Sequence, residues 1–180
     1  MIKYIALLRG VNVGGKNTVK MASLKASLEK KGFLNVVTYI NSGNLIFDSS
    51  HPENDLKEIC ENTIKEEFDI DIPVCVIKAI DFQNMILKAP LWWNKDNCLK
   101  HDAIFVIPPV TTNEVVKIIG SIKEEYESLS YYDRVLFWSA PVATFSRTRV
   151  SKIVSDKSMY RAITVRNANT ALKLCELSKI

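Results

Sequence analysis

The chain lacks any apolar run near the roughly 18 residues that a membrane-crossing helix needs, so no membrane partner is expected. Its opening run Tyr4–Leu8 is too short for the hydrophobic part of a secretion signal and has no cleavage site. Cysteines are few and unpatterned: Cys60, Cys75, Cys98 and Cys175 form no C-x-x-C, which speaks against a zinc ribbon or a disulfide framework. They read as reduced, mostly buried thiols of a cytoplasmic protein. Histidine is nearly absent, and neither His51 nor His101 sits at a metal-ligand spacing, so both are expected to be packing or surface residues and no metal site is expected. No G-x-S-x-G elbow is present either.

What is present is ordinary for a globular protein: 47% hydrophobic and 24% charged residues, enough for one domain or two small joined ones. The net charge of +4 is unevenly spread. Residues 1–31 carry seven Lys or Arg and only Glu29 as acid, and residues 147–180 carry eight against Asp156 and Glu176. The segment between them holds nine basic and seventeen acidic residues. If the two basic ends converge, they make a pole that attracts phosphate; if they do not, they are two solvated faces.

Patterning along the chain gives an order of elements. Lys3–Arg9 reads as a buried strand, and Met21–Lys31 as a helix with Met21, Leu24 and Leu28 on one face and Gly32 as its stop. Val36–Ile40 and Leu45–Asp48 read as a hairpin turned by Asn41–Asn44. Ser50 and Glu53 then make a capping box for a helix carrying Leu56, Ile59, Cys60, Ile64 and Phe68, and Pro73–Ile77 is a last strand. The second half repeats this imperfectly. A helix over Asp81–Lys88 precedes a strand at Asp102–Ile107, and Thr112 caps the next helix. A hairpin over Arg134–Trp138 and Val142–Phe145, a helix from about Val150 to Tyr160 and a final helix near Asn169–Leu177 follow. The expectation is an α+β protein of two ferredoxin-like βαββαβ-type subdomains in tandem, residues 1–80 with a glycine-rich loop and residues 81–180 with a C-terminal helix. The end of the first strand is expected to meet the end of the third. Only an excursion of Val11–Thr18 would then carry the glycine loop to the hairpin tip Ser42–Asn44.

That loop, "RGVNVGGKNT", nearly spells a phosphate-binding P-loop, with Gly10, then Gly15-Lys16, but Asn17 where Ser or Thr is required. A P-loop also needs a helix starting at the lysine, whereas the amphipathic pattern begins near Met21. The motif fails as a P-loop. As an anion site it survives: Gly10, Gly14 and Gly15 permit left-handed backbone that can turn N–H groups inward as a nest, with Arg9 and Lys16 adding charge. A tight connection that merely needs glycine is the alternative.

Three stretches together, "YIALLRGVNVGGKNTVKM", "TYINSGNLIF" and "TVRNANTALKLCEL", resemble the family called domain of unknown function 1697, over nearly the whole chain. Arg9-Gly10, Asn12, Gly14 and Gly15 match its first motif and Ser42, Gly43 and Asn44 its second. Ser151-Lys152 matches its Ser-Lys pair, and Thr164, Arg166, Asn167, Asn169 and Thr170 its last motif. Asn41, Val165 and Ala168 depart from the Gln, Thr and Trp usual there. The resemblance implies a two-subdomain α/β fold in small, mostly bacterial cytosolic proteins, and no particular activity.

Other chemistry is thin. Ser151-Lys152 reads as a nucleophile with a lysine base or, more plainly, as a helix cap beside a solvated lysine. Trp92-Trp93 and Tyr131-Tyr132 read as stacking platforms or as core lids. The residues expected to face a ligand are Arg9, Asn12, Gly14, Gly15, Lys16, Ser42, Asn44, Ser151, Lys152, Arg166, Asn167 and Thr170. They offer donors and no carboxylate, which suits anion recognition better than proton transfer. The expected partner is a phosphate-bearing ligand, a nucleotide or nucleic acid, with no cofactor. An enzyme acting on a small phosphorylated or carboxylated substrate is the alternative, and the sequence leaves the oligomeric state open.

Overall fold

Strand β1 (Ile2–Leu8) begins the fold because Tyr4 to Leu8 are all apolar, and all five are buried. The computed structural model describes residues 1–179. Its chain forms two units, Met1–Gln83 with Leu174–Ile180, and Asn84–Lys173.

In the first unit β1 is followed by α1 (Met21–Lys30), β2 (Leu34–Thr38), β3 (Asn44–Ser49), α2 (Glu53–Phe68), β4 (Val74–Lys78) and α3 (Ala79–Leu87). The sheet order is β2-β3-β1-β4 with every neighbouring pair antiparallel. Strand side chains alternate between faces, so Tyr4, Ala6 and Leu8 share one face with Leu45 and Phe47 of β3. Leu24 and Leu28 of α1 and Leu56, Cys60 and Ile64 of α2 close over them. Each such leucine or isoleucine contributes about 1.5–3 kcal/mol by leaving water.

The second unit repeats the topology with β5 (Lys100–Val106), α4 (Thr112–Ile119), β6 (Ser128–Tyr132), β7 (Val135–Ala140), α5 (Ser151–Ser155), α6 (Lys157–Arg161) and β8 (Ile163–Asn167), followed by α7 (Ala168–Leu177). Its order is β6-β7-β5-β8, again antiparallel throughout. Val115 and Ile119 of α4 pack with Ile104, Val106, Leu136 and Trp138 of the sheet. The two ferredoxin-like subdomains expected from the sequence are therefore present.

Several boundaries differ. The second hairpin is β6–β7 around Asp133-Arg134, and Val142–Arg147 is a 3₁₀ helix rather than a strand. Edge strand β6 is largely polar and half exposed, so it shows no apolar alternation, while Pro141 ends β7. The expected helix over 150–160 is two short ones, broken at Asp156, whose carboxylate accepts from the amides of Ser158 and Met159 to start α6. The run after them pairs with β5 and completes the βαββαβ order.

The capping box expected at Ser50 and Glu53 does not form. Pro52 occupies the cap, and Glu53 Oε1 instead accepts the Lys78 amide at 3.0 Å. A complete box stands on α4, between Thr111 and Glu114, one residue before the expected Thr112. The hydrogen bonds from Thr111 hold the Glu114 carboxyl below its ordinary 4.5, and the Ser158 and Met159 bonds hold Asp156 below 3.8. A depressed folded value means stability present above the ordinary value and lost as pH falls through the folded one. Acid unfolding of a Glu114→Ala protein, followed by circular dichroism, should thus show a shallower loss of stability below pH 4.5 than the parent. An identical pH profile would remove the cap from the acid response.

Candidate functional site

The twelve residues between β1 and α1 form a small projecting hairpin. The Asn12 amide donates to Asn17 O at 3.1 Å and the Lys16 amide to Val13 O at 3.1 Å, with Val13 and Lys16 bridged antiparallel. Gly14 and Gly15 sit between at φ 58° and 73°, the two positive values of a type I′ turn. The glycines are left-handed as expected, but they build a finger rather than a concave nest. Two left-handed residues in succession reverse the chain instead of curling their amides around one point. The Gly14 and Gly15 amides have no partner among the described residues. Val13 at the tip is 61% exposed.

Asn17 now has a reason to replace a P-loop hydroxyl. Its φ is 50°, a region asparagine tolerates, and its Nδ2 donates to Gly10 O at 3.0 Å to close the base of the finger. Asn12, also left-handed at φ 54°, is the clamp. Its Nδ2 donates to Val19 O and Asn41 O at 2.9 and 2.6 Å, and its Oδ1 accepts the Val19 amide at 2.9 Å. Because the carbonyl of Asn41 makes the contact, the change from the family's usual glutamine leaves this bond in place.

The finger meets the β2–β3 hairpin directly. Leu8 donates to Gly43 O at 2.8 Å, and Leu7 pairs with Asn44. The expected strand geometry is thereby corrected: antiparallel pairing sets the end of β1 against the start of β3, so no excursion of the loop is needed. Asn44 is fully buried and spends its Nδ2 on Tyr39 O and Ser42 Oγ at 3.0 and 3.2 Å. It holds the turn and does not face solvent. Ser42 is half-buried beside it.

The charged residues of the finger are all basic. Residues 9–20 carry Arg9, Lys16 and Lys20 with no acid, and the 39–44 turn adds none. Lys16 and Lys20 are exposed and in no ion pair among the described residues, while half-buried Arg9 is tied by its amide to Pro73 O at 3.2 Å. Lys20 caps α1 with no side-chain bond, and the first turn holds no acid, so the positive helix pole is left uncompensated. The sequence reading missed Lys20, although the acid-free first turn was its signal.

The remaining expected site residues lie in the second unit. Arg166 is only 6% exposed and donates through Nη1 to Thr164 Oγ1 and Val165 O at 2.9 and 2.8 Å. Asn167 Oδ1 accepts the Thr170 amide at 2.8 Å and starts α7, with Thr170 buried. Ser151 donates through its hydroxyl to Thr148 O at 2.7 Å, and Lys152 is exposed. These polar groups are occupied largely by the fold itself, and Ser151 is the first residue of α5, not its cap: Val150 holds the cap position without a side-chain bond, and the Thr148 hydroxyl accepts the Ser151 amide at 3.2 Å.

Groups suited to proton transfer lie elsewhere. His101 is buried, its Nδ1 bonded to Ser139 Oγ and its Nε2 2.7 Å from Asp96 O, where it must donate. Burial pushes the neighbouring Asp102 carboxyl above its ordinary value, opposed by the hydrogen bond from Lys100 at 2.9 Å. Trp93 is buried, donating to Asp102 O at 3.1 Å, so it takes the packing reading; Tyr131 and Tyr132 are exposed on the edge strand instead. Among the described residues, no three His, Cys, Asp or Glu side chains cluster as metal ligands, and no helix is long and apolar enough to cross a membrane.

No curated protein matches the chain significantly. It is similar to the solved structure of the conserved bacterial protein SP0830 from Streptococcus pneumoniae, at 30% identity and a TM-score of 0.85 over 98% of each chain. The family model described as protein of unknown function, DUF1697, matches residues 1–137. With its opening motif built into the finger and its second motif into the turn beneath it, the chain belongs to the DUF1697 family.

Proposed function

We propose that the first unit binds a phosphate-bearing ligand through the finger, and that the ligand is nucleic acid rather than a single nucleotide. The observation that carries this is a comparison of the two units. Leu8 donates to Gly43 O in the first, and Val106 donates to Arg134 O at 2.9 Å in the second, so the same bond ties strand to hairpin in both. Five residues, 107–111, suffice to reach the helix in the second unit, whereas the first uses twelve. The fold does not need the extra length, and long exposed loops on a rigid frame are where binding groups concentrate.

The added residues offer Lys16, Lys20 and two unpartnered glycine amides, all donors or cations. A finger is convex, so it suits contact with an extended phosphate backbone better than enclosure of one nucleotide. No carboxylate or histidine lies in residues 9–20 or 39–44, which favours binding over catalysis. No disulfide joins Cys60, Cys75, Cys98 or Cys175 to another of them, which supports a cytoplasmic setting.

Titration against labelled single- and double-stranded oligonucleotides and a nucleotide panel, at two salt concentrations, tests the reading. Affinity should fall with salt by a log–log slope near 0.7 per single-strand phosphate contacted, or near 0.9 for duplex. Lys16→Ala should reduce that slope by about one contact across all sequences tested. Saturable binding of mononucleotides alone, or an unchanged slope in the variant, would sink the proposal.

A further inference from the structure

A separate group of cations in the second unit is in no ion pair among the described residues. Lys123 Nζ and the Arg147 guanidinium carbon lie 5.7 and 5.6 Å from the centre of the same Tyr126 ring. Just beyond Thr148, Arg149 carries a buried Nε with no hydrogen-bond partner. Arg149 also lies against the Tyr126 segment, since its amide donates to Glu127 Oε1. None of the three cations is in an ion pair among the described residues.

Buried Glu127 makes no ion pair with them among the described residues. Glu127 spends its two oxygens on the amides of Arg149 and Val150 and on Trp138 Nε1. Glu124 and Glu125 are exposed and make no ion pair with the group. Two like charges sharing one ring repel each other, and a buried guanidinium N–H without an acceptor carries its full desolvation cost. One multivalent anion relieves both, because arginine presents its N–H groups in a fork that matches tetrahedral oxyanions.

We propose that Lys123, Arg147 and Arg149 hold a phosphate dianion, either free or as the terminal monoester of a small phosphorylated molecule. Arg149 Nε–H donates to one oxygen, and Arg147 and Lys123 balance the charge from the Tyr126 side. The site uses none of the finger residues and stands or falls apart from them.

The full chain, labelled with nitrogen-15 in phosphate-free buffer at constant ionic strength, is titrated with inorganic phosphate, a simple alkyl phosphate, and chloride. The Arg149 Nε–H resonance, assigned by its loss in Arg149→Lys, should shift saturably with a phosphate and not with chloride. Tighter binding of the alkyl phosphate identifies the monoester as the source, and tighter inorganic phosphate the free ion. The double variant Lys123→Ala/Arg147→Ala, altered only at residues at least partly exposed and therefore expected to fold, should raise the phosphate Kd at least tenfold, while Lys16→Ala leaves it unchanged. An absent or chloride-like shift, or an unaltered Kd in the double variant, overturns the assignment.

Discussion

Replacing Glu127 by alanine is expected to destabilise the protein by about 4 kcal/mol, well beyond the usual cost of a single polar substitution. Glu127 is 3% exposed and accepts three hydrogen bonds, from Trp138 Nε1 at 3.0 Å, from the Arg149 amide, and from the Val150 amide at 3.3 Å. Removing the carboxylate strands three donors, each costing roughly 1–3 kcal/mol, with partial relief as water enters the space. For a chain of this length the melting temperature should fall by roughly 8–16 °C. Glutamine in its place keeps one acceptor oxygen and should lose about half as much. Thermal and urea unfolding followed by tryptophan fluorescence measure both. If alanine costs less than about 1 kcal/mol, the three bonds do not fasten the 148–150 segment as described.

A comparable loss is expected from one methyl group at Gly43. Its φ is 77°, and a Cβ there would lie 2.5 Å from Val11 Cγ2 and 2.6 Å from Leu8 Cβ. Left-handed backbone costs a residue with a Cβ about 1–2 kcal/mol, and overpacking adds about 1–3 kcal/mol. Gly43→Ala should therefore cost about 3–4 kcal/mol. Leu8 and Val11 cannot simply retreat, since both belong to the buried core beneath the finger. Gly14→Ala is the control: its φ of 58° carries the same backbone cost, but nothing lies within 4 Å of the added methyl. That variant should lose only about 1–2 kcal/mol. Equal losses at the two glycines would show that backbone strain, and not the close approach of turn and finger, makes Gly43 necessary.

Residues that speak through their own periodicity were legible in the sequence. Leu24 and Leu28, or Val115 and Ile119, recur at helical spacing and are buried where the pattern puts them. The βαββαβ order followed from such runs. Strand β6 was not legible, because an edge strand with polar residues on both faces carries no alternation to read. Strand β8 was equally obscure: five residues, ITVRN, become a strand by pairing with β5, a partner some sixty residues away along the chain.

The candidate site divides along the same line. Chain-local chemistry marked the glycines, the missing P-loop hydroxyl and the shortage of acids near the N-terminus, since each is a property of residues next to one another. Whether a donor is available is not such a property. Asn44 and Arg166 look like ligand groups in the sequence, and burial against Tyr39 O and Thr164 Oγ1 occupies them. Lys16 and Lys20 remain exposed and pair with no carboxylate among the described residues, which only folding decides. The sequence by itself determined two antiparallel α+β units and a glycine-rich loop after the first strand, because backbone preference and hydrophobic period act locally. Tertiary structure alone decided that this loop is a finger clamped by Asn12, because Val19 and Asn41 become neighbours only when β1 pairs with β3.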